Sequence, residues 1–386
     1  MKTQALFFIL CFVLLFPGAA KSEDSASRGL FIATIGQTPV LSSRQQIAKA
    51  VDFARENRIK TIFVQVYRAN QSWFPSKVAD SSPYKECFKS LSEDPLALLI
   101  KEAHASGVQV HAWLNLLSLS TNKNARILKK FGPGILTRNI KEKKTIGDYR
   151  IDDQYFLEPG DLNVRKELTR LVEEILTAYP GLDGILFDYI RYPDSNPAYG
   201  HTEVNIARFK EATGIRKISE DSPAWKNWKR GQVTELLKRL VDKTRGLRPG
   251  IQVSATGCAP FSRSYYEAFQ DWPSWLQSGL IDYVTIMSYP IDISEFEKDI
   301  SQAKNKAVDF RKVNIAVGAY KMLASPETFA RQYNICENTG CNSCVIFHYD
   351  SLLRNPALAN CLTAGSKEPA RQQARNTLLK PDVITR

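Results

Sequence analysis

Beyond its first twenty-odd residues the chain has no long hydrophobic run. Its 386 residues are 44% hydrophobic and 24% charged, an ordinary balance for a globular protein. No later stretch approaches the roughly eighteen apolar residues of a membrane-spanning helix. Residues 6–16 form a shorter apolar segment that follows Lys2 and precedes small residues. We therefore expect residues 1–22 to be a signal peptide, the mature protein to be periplasmic or secreted, and no membrane span.

Signals of nucleic-acid binding are also missing. The chain has no arginine-rich arm, zinc-finger spacing or aromatic ribonucleoprotein motif. Its formal net charge of +12 suits an acidic partner such as an anionic glycan, although a generally basic, soluble surface explains the charge equally well. We expect a polysaccharide partner, anionic if the charge serves binding, no nucleic acid, and a monomer.

Histidine is scarce, with four residues in the whole chain, and none forms the helical His-Glu-x-x-His pair of zinc enzymes. Because zinc needs three or four well-placed ligands, we expect no catalytic metal. A glycine-rich phosphate loop is absent after the first predicted strand, where residues 36–39 do not fit the dinucleotide-binding pattern. We therefore expect no cofactor.

Seven cysteines are present, and one lies inside the N-terminal apolar segment. Four of the other six share the predicted amino-end face of the fold: Cys336, Cys341, Cys344 and Cys361. Export would favour at least one disulfide among these four over the alternative, a four-thiolate zinc site. The pairing is open, because four cysteines allow three connectivities.

Cys87 and Cys258 fall on the opposite, carboxyl-end face. No histidine stands beside either of them in an obvious motif, so a cysteine nucleophile is not favoured. We expect either a bridge between loops or two buried thiols.

From Arg28 onward, strand-like apolar runs alternate with amphipathic helical stretches. The predicted strands are residues 30–34, 61–67, 108–116, 184–188, 251–256, 283–289, 314–319 and 345–349. The predicted helices are residues 43–57, 94–106, 163–178, 224–245, 265–277, 294–307 and 326–337.

This alternation predicts an α/β fold, a single (β/α)₈ barrel over residues 28–364. The runner-up is an open, doubly wound sheet. Two long segments, 118–162 and 194–223, would form loops on the carboxyl-end face, where such barrels bind their ligands. Residues 365–386 are polar and basic, and we expect a partly disordered tail.

The fourth predicted strand ends abruptly in polar residues. Residues 185–187 follow one another without polar alternation, as in a strand buried on both faces. Asp188 then stands at the carboxyl end, and Arg191 and Tyr192 follow in the loop. The position predicts a functional carboxylate, whereas a structural pair between Asp188 and Arg191 is the alternative.

Other strand ends offer aromatic side chains beside hydroxyl-binding polar ones, which is the composition of a carbohydrate site, although tyrosine and tryptophan also fill barrel interiors. The substrate-binding candidates are Gln65, Tyr67, Arg68, Trp113, Asn115, Arg191, Tyr192, Met287, Tyr289, His348 and Tyr349.

Three motifs in order resemble the bacterial glycosyl-hydrolase-like family ten, exported barrel proteins associated with envelope polysaccharide. They are residues 157–165 (LEPGDLNVR), 182–193 (LDGILFDYIRYP) and 271–289, which includes Met287-Ser288-Tyr289. The resemblance spans nearly the whole mature chain and implies a barrel, a glycan substrate and a site that contains Asp188. Many relatives carry two consecutive acids where this chain has Asp188-Tyr189. Ile190 stands where the similar chitinase motif has its glutamate, so that mechanism does not transfer.

Glycoside hydrolysis ordinarily needs two carboxyl groups. Asp188 is the first, as acid/base or nucleophile, with Arg191 orienting it or gripping an anionic substituent. The candidates for the second are Glu158, Asp161, Asp194 and Asp350, and we predict catalytic roles for Asp188, Asp350 and Glu158. The predicted function is an exported glycoside hydrolase that acts on peptidoglycan glycan strands or exopolysaccharide. The alternative is a glycan-binding barrel without turnover.

Overall fold

A computed structural model describes residues 26–364, except 35, 38, 140–149, 152, 195 and 196. The expected signal peptide and basic tail lie outside the described residues. In chain order the strands are β1 Ser27–Ile32, β2 Thr61–Arg68, β3 Gln71–Ser72, β4 Gln109–Asn115, β5 Ser118–Ser120, β6 Tyr155–Phe156, β7 Gly184–Asp188, β8 Gln252–Cys258, β9 Tyr283–Ser288, β10 Val313–Val317 and β11 Ser343–Ile346.

Eight of these strands are parallel and close into a barrel within the described part of the chain. Their order around the barrel is β1, β11, β10, β9, β8, β7, β4 and β2, and pairing of β1 with β2 closes the ring. Each predicted strand overlaps one barrel strand. The predicted (β/α)₈ barrel is therefore confirmed, and the open sheet is wrong.

The barrel strands are buried on both faces because side chains alternate between an interior core and the helical shell. Leu186 of β7 lies in the interior cluster with Phe31 and Trp113, whose rings are 4.9 Å apart in an edge contact. Its neighbours Ile185 and Phe187 belong to the outer cluster packed against the helices. This two-sided burial explains the unbroken apolar run.

Helices pack around the outside of the barrel. They are α1 Arg44–Glu56, α2 Ser82–Leu91, α3 Pro95–Ala105, α4 Arg126–Phe131, α5 Leu162–Ala178, α6 Glu203–Thr213, α7 Pro223–Leu247, α8 Phe261–Tyr266, α9 Trp272–Gln277, α10 Ile293–Lys306, α11 Pro326–Glu337, α12 Tyr349–Arg354 and α13 Pro356–Ala364. The helix predicted over 265–277 is instead two helices. Phe269 has φ 56° between them, and the Asp271 carboxylate accepts from the Ser274 backbone N–H to begin α9.

Two aspartates just before barrel strands help to hold the parallel register. Asp183 accepts the backbone N–H of Val110 at 2.8 Å, and Asp282 accepts that of Val253 at 2.7 Å. Gly184 then starts β7 where a Cβ would come within 2.2 Å of the His111 ring. The Asp-Gly pair at the start of the 182–193 motif is therefore structural.

Both long predicted loops lie on the carboxyl-end face. The loop after β4 carries α4 and the antiparallel pair of β5 and β6, and the loop after β7 carries α6. Among the described residues, no helix is long and apolar enough to cross a bilayer.

Three of the four amino-end cysteines, Cys336, Cys341 and Cys344, form a compact sulfur cluster. Cys336 and Cys344 are joined in a disulfide, which confirms the predicted disulfide among the four. The Cys341 sulfur lies 3.9 Å from that of Cys336 and 4.0 Å from that of Cys344. Cys87, Cys258, Cys341 and Cys361 are free thiols, so the bridge considered between Cys87 and Cys258 does not form.

We expect replacement of both Cys336 and Cys344 by serine to lower the free energy of unfolding by about 2–3 kcal/mol. The bridge restricts the unfolded chain, and the expected loss is modest because the loop that it closes is short. Urea denaturation measures the loss. Cys361→Ser, which removes a half-buried free thiol, is the control. Equal stability of the double variant and the control would contradict the assigned bridge.

Candidate active site

A groove opens at the carboxyl end of the barrel. It consists of two adjoining cavities of about 730 Å³ and 550 Å³, and both are lined by Tyr189, Met287, Tyr289 and Tyr320. Three of these four side chains are phenols. Aromatic rings with polar edges suit a ligand that has both apolar faces and hydroxyl groups.

Asp188 lies in the wall of the smaller cavity and is only 4% exposed. Its Oδ2 accepts from the Trp113 indole N–H at 2.8 Å, and its Oδ1 accepts from the Thr256 hydroxyl at 2.6 Å. The backbone N–H of Tyr189 donates to Oδ1 at 2.7 Å. Since three donors converge on it, the arrangement fits an ionised carboxylate, which can only accept.

The chain turns sharply after Asp188. Tyr189 adopts the left-handed conformation with φ 51°, which is uncommon for a residue with a side chain. Its ring lies against the Arg191 guanidinium, 4.6 Å from the ring centroid. Backbone strain of this kind clusters at functional sites and supports this loop as part of the site.

A polar network continues from Asp188 along the smaller cavity. Asn115 accepts from the Gln65 amide at 3.0 Å, and Gln65 in turn accepts from the Thr34 hydroxyl at 3.1 Å. Arg68 and His348 complete this wall, and His348 stacks on Tyr320. Burial lowers the pKa of His348, which favours its neutral form. The network fixes the positions of these amide groups in the cavity wall.

Arg191 lines the larger cavity but pairs with Asp194 at 2.7 Å and not with Asp188. Arg263 contacts the other oxygen of Asp194 at 2.5 Å. Burial alone would raise the pKa of Asp194, but the two guanidinium groups lower it below its usual value. Asp194 is therefore held as a carboxylate, and the expectation that Arg191 orients Asp188 is corrected.

Tyr289 stands where the two cavities meet. Burial first, and the nearby Asp188 next, raise the pKa of Tyr289 well above its usual value. Within the described part of the chain its hydroxyl has no hydrogen-bond partner. A buried, unpaired hydroxyl therefore lies near Asp188.

Sequence reasoning missed other carboxyl groups that line the groove, and Asp299 is one of them. Asp299 of α10 lines the larger cavity, and the Ser288 hydroxyl donates to it at 2.8 Å. Burial raises the pKa of Asp299 above its usual value. Asp299 lies on a helix, so no strand-end signal pointed to it.

Cys258 also lines the larger cavity. Burial, the largest influence, raises the pKa of its thiol to about 12. The thiolate is therefore not available near neutral pH, in agreement with the expectation that this cysteine is no nucleophile.

Two predicted catalytic carboxylates do not reach the groove. Glu158 is fully buried behind it, where Oε1 accepts from the Tyr192 hydroxyl and from the Gly160 backbone N–H at 3.2 Å. Asp350 begins α12 and accepts the Gln37 backbone N–H at 3.2 Å. Neither lines a cavity of the groove, so both catalytic assignments are corrected. Asp161, considered as well, caps α5.

Three predicted binding tyrosines also lie outside the groove. The register between β2 and β4 shifts between Gln65 and Tyr67, so Tyr67 turns into the outer core although Gln65 faces the cavity. Tyr192 points inward to Glu158. Tyr349 starts a helix and packs against Phe53, with ring centroids 5.3 Å apart.

The structure brings all the other predicted site residues together at the groove. They are Gln65, Arg68, Trp113, Asn115, Asp188, Arg191, Met287, Tyr289 and His348. Further lining residues include Tyr189, Asp194, Arg263, Asp299 and Tyr320.

The fold and this groove define a glycosidase-like barrel. The family model for glycosyl hydrolase-like 10 proteins matches residues 26–334, so the chain belongs to that family. Glycosyl hydrolase DigH of Escherichia coli K12 is 22% identical over 306 residues, with 71% of this chain and 67% of DigH covered. Glycosyl hydrolase YngK of Bacillus subtilis is 23% identical over 367 residues, with 84% and 68% covered.

Solved glycosidase structures share the fold. The catalytic domain of β-amylase from Paenibacillus polymyxa superposes with a TM-score of 0.57 at 12% identity and covers 89% of this chain and 99% of that domain. The β-galactosidase of Marinomonas ef1 gives 0.55 at 12% identity, with 92% and 61% covered. The shared architecture is the parallel barrel.

Arg191→Ala should lower the free energy of unfolding by about 3 kcal/mol, because it breaks a buried ion pair and removes a ring contact. Arg263→Ala is the matched control, since it removes a half-exposed guanidinium from the same carboxylate and should cost less than about 1 kcal/mol. Urea denaturation of both variants measures the difference. Equal losses would show that Arg191 is not the structural partner of Asp194.

Glu158→Gln should make stability less dependent on pH. Burial raises the folded-state pKa of Glu158 above its ordinary value of 4.5, so the folded protein binds this proton more tightly than the unfolded chain. Wild-type stability should therefore fall as pH rises from 4.5 through the folded pKa, and the variant should lack this contribution.

Urea denaturation of wild type and Glu158→Gln at several pH values above 4.5 checks this sign. Glu211→Gln, a change of an exposed glutamate on α6, is the control. A free-energy difference between wild type and Glu158→Gln that stays constant with pH would overturn the assignment.

Proposed function

We propose that the protein is an exported glycoside hydrolase that cleaves O-glycosyl bonds of an envelope or extracellular polysaccharide, either peptidoglycan glycan strands or exopolysaccharide. One observation carries the proposal: a buried carboxylate, Asp188, ends a barrel strand in the wall of a long groove lined by phenols. Family membership and the glycosidase fold support it. Two adjoining cavities suit several consecutive sugar rings better than one small ligand.

In this proposal Asp188 acts as the ionised carboxylate, either as nucleophile or as the base for water. Its three donors position it and suit that charge state. Asp299, whose pKa burial raises, is the proposed proton donor to the leaving oxygen. Tyr289, which lines both cavities, would contact the sugar with its ring. Arg263, with its more exposed guanidinium, replaces Arg191 as the group proposed to contact an anionic substituent.

Export is part of the same proposal. The N-terminal apolar segment after Lys2 supports it, as does the disulfide between Cys336 and Cys344, since such bonds persist in oxidising compartments. Both features suit a substrate outside the cytoplasm.

A glycan-binding protein without turnover is the second candidate function. It is favoured by a specific observation: Glu158 and Asp350, the predicted partners of Asp188, lie outside the groove. Two carboxyl groups acting on one bond are the ordinary requirement for hydrolysis.

Asp188→Asn separates the two functions. An enzyme should lose roughly 10²-fold or more of its hydrolytic rate but still bind glycan, because the amide keeps the shape and loses the charge. The measurement is reducing-end release from denuded peptidoglycan strands and from a panel of exopolysaccharides, with products identified by mass spectrometry.

Asp350→Asn is the matched control, since it removes the same charge from the first turn of α12, outside the groove. Its rate should stay near that of wild type. Glycan binding without reducing ends from wild type or either variant would favour the binding protein, and full activity of Asp188→Asn would overturn the role of Asp188.

A further inference from the structure

A second cleft lies outside the groove and is unusually basic. Its volume is about 480 Å³, and it shares no lining residue with either cavity of the groove. This basic cleft is lined by Lys77, Arg126, Lys129, Lys130 and Arg170, with Val78, Ile127 and Glu167. All five cationic residues are exposed.

The residues that line the basic cleft carry more positive than negative charge, although two acids lie next to them: Glu174 accepts the Lys77 backbone N–H at 2.9 Å, and Asp80 interacts with Arg126. The single carboxylate that lines the cleft, Glu167, is 6% exposed and pairs with Lys130 at 2.8 Å and Arg170 at 3.4 Å. Lys77 and Lys129 have no ion pair among the described residues. One acid against five cations leaves a formal excess of four positive charges. Like charges gathered around one concave surface repel one another, and an anion would relieve that repulsion.

The walls of the basic cleft are held by contacts between different segments. Arg126 of α4 donates to the Ala79 carbonyl at 2.8 Å, and the Ile127 backbone N–H donates to Asn70 Oδ1 at 3.1 Å. The Asn122 amide donates to the Ala69 carbonyl at 2.8 Å. These bonds join the segments after β2 and β4, so the concave shape exists without a ligand.

The same segments also line the groove. Arg68 at the end of β2 and Thr121 after β5 lie in the wall of the smaller cavity. The chain continues from Arg68 towards Lys77, and from Thr121 into α4. Both segments follow carboxyl ends of barrel strands, so groove and basic cleft lie on the same end of the barrel.

We propose that the basic cleft is an accessory binding site for an anionic polysaccharide, one whose carboxylate groups repeat along the strand. Lys77, Lys129 and Arg126 bind these groups, and the strand continues along the rim towards the groove. The choice of a glycan rests on the proposed function, but the anion site itself does not, because binding there needs no hydrolysis.

The test is native affinity electrophoresis of the full chain in gels that contain polygalacturonate, a carboxylated polysaccharide, or neutral dextran. Lys77→Ala/Lys129→Ala should bind polygalacturonate roughly tenfold more weakly than wild type, because two exposed charge contacts are lost. Raising the salt concentration should reduce the difference, since such contacts are screened.

Lys89→Ala/Lys101→Ala is the matched control. It removes the same charge from exposed residues of α2 and α3 that line none of these cavities, and its affinity should change less than twofold. Hydrolysis by the wild-type protein is measured in a separate assay. A protein that hydrolyses no glycan can therefore still confirm or contradict the binding site in the gel. Equal binding by the cleft and control variants would overturn the proposal.

Inorganic polyphosphate and a single-stranded oligonucleotide serve as further gel additives. Tighter binding of polyphosphate than of polygalacturonate, lost in the cleft variant, would overturn the choice of a carboxylated glycan and assign the site to phosphate groups. Preferential binding of the oligonucleotide, lost in the same variant, would overturn the choice of a glycan.

Discussion

The site depends on one buried carboxylate held by both of its neighbouring strands. Asp188 ends β7, the Trp113 indole donates to it from β4, and the Thr256 hydroxyl donates from β8. Each donor reaches Asp188 only if all three parallel strands keep their register. A buried carboxylate without such partners would cost several kcal/mol. The barrel and the site therefore stabilise the same arrangement.

Two polar clusters lie near Asp188, one in the groove and one buried behind it. The groove combines Asp188 with phenols, amides and the ion pair of Arg191 and Asp194. Glu158 and Tyr192 form a closed, buried contact that holds the same loop from behind. The motif after β7 thus supplies residues to the site and to its support, which explains why its polar residues follow one another so closely.

Chain segments inserted at the carboxyl ends of the strands extend the surface beyond the groove. The contacts of Arg126 and Asn122 with the loop after β2 join two insertions into one wall. The same insertions therefore contribute lining residues to the groove and to the basic cleft.

The amino-acid sequence by itself determined the barrel, because eight apolar runs alternating with amphipathic helices leave few other ways to bury both faces of a parallel sheet. It also placed Asp188 at the site, since a charge that ends such a run must lie at the carboxyl end of a strand. Tertiary structure alone decided the rest. A register shift in β2 places Tyr67 in the outer core although Gln65 faces the cavity. The turn at Tyr189 brings Arg191 into an ion pair with Asp194. Asp299 lines the groove from helix α10. On a helix, no sequence pattern distinguishes a carboxyl group that lines a cavity from one that faces solvent. Local patterns specify which faces are buried, whereas the direction of a single side chain depends on packing between segments far apart in the chain.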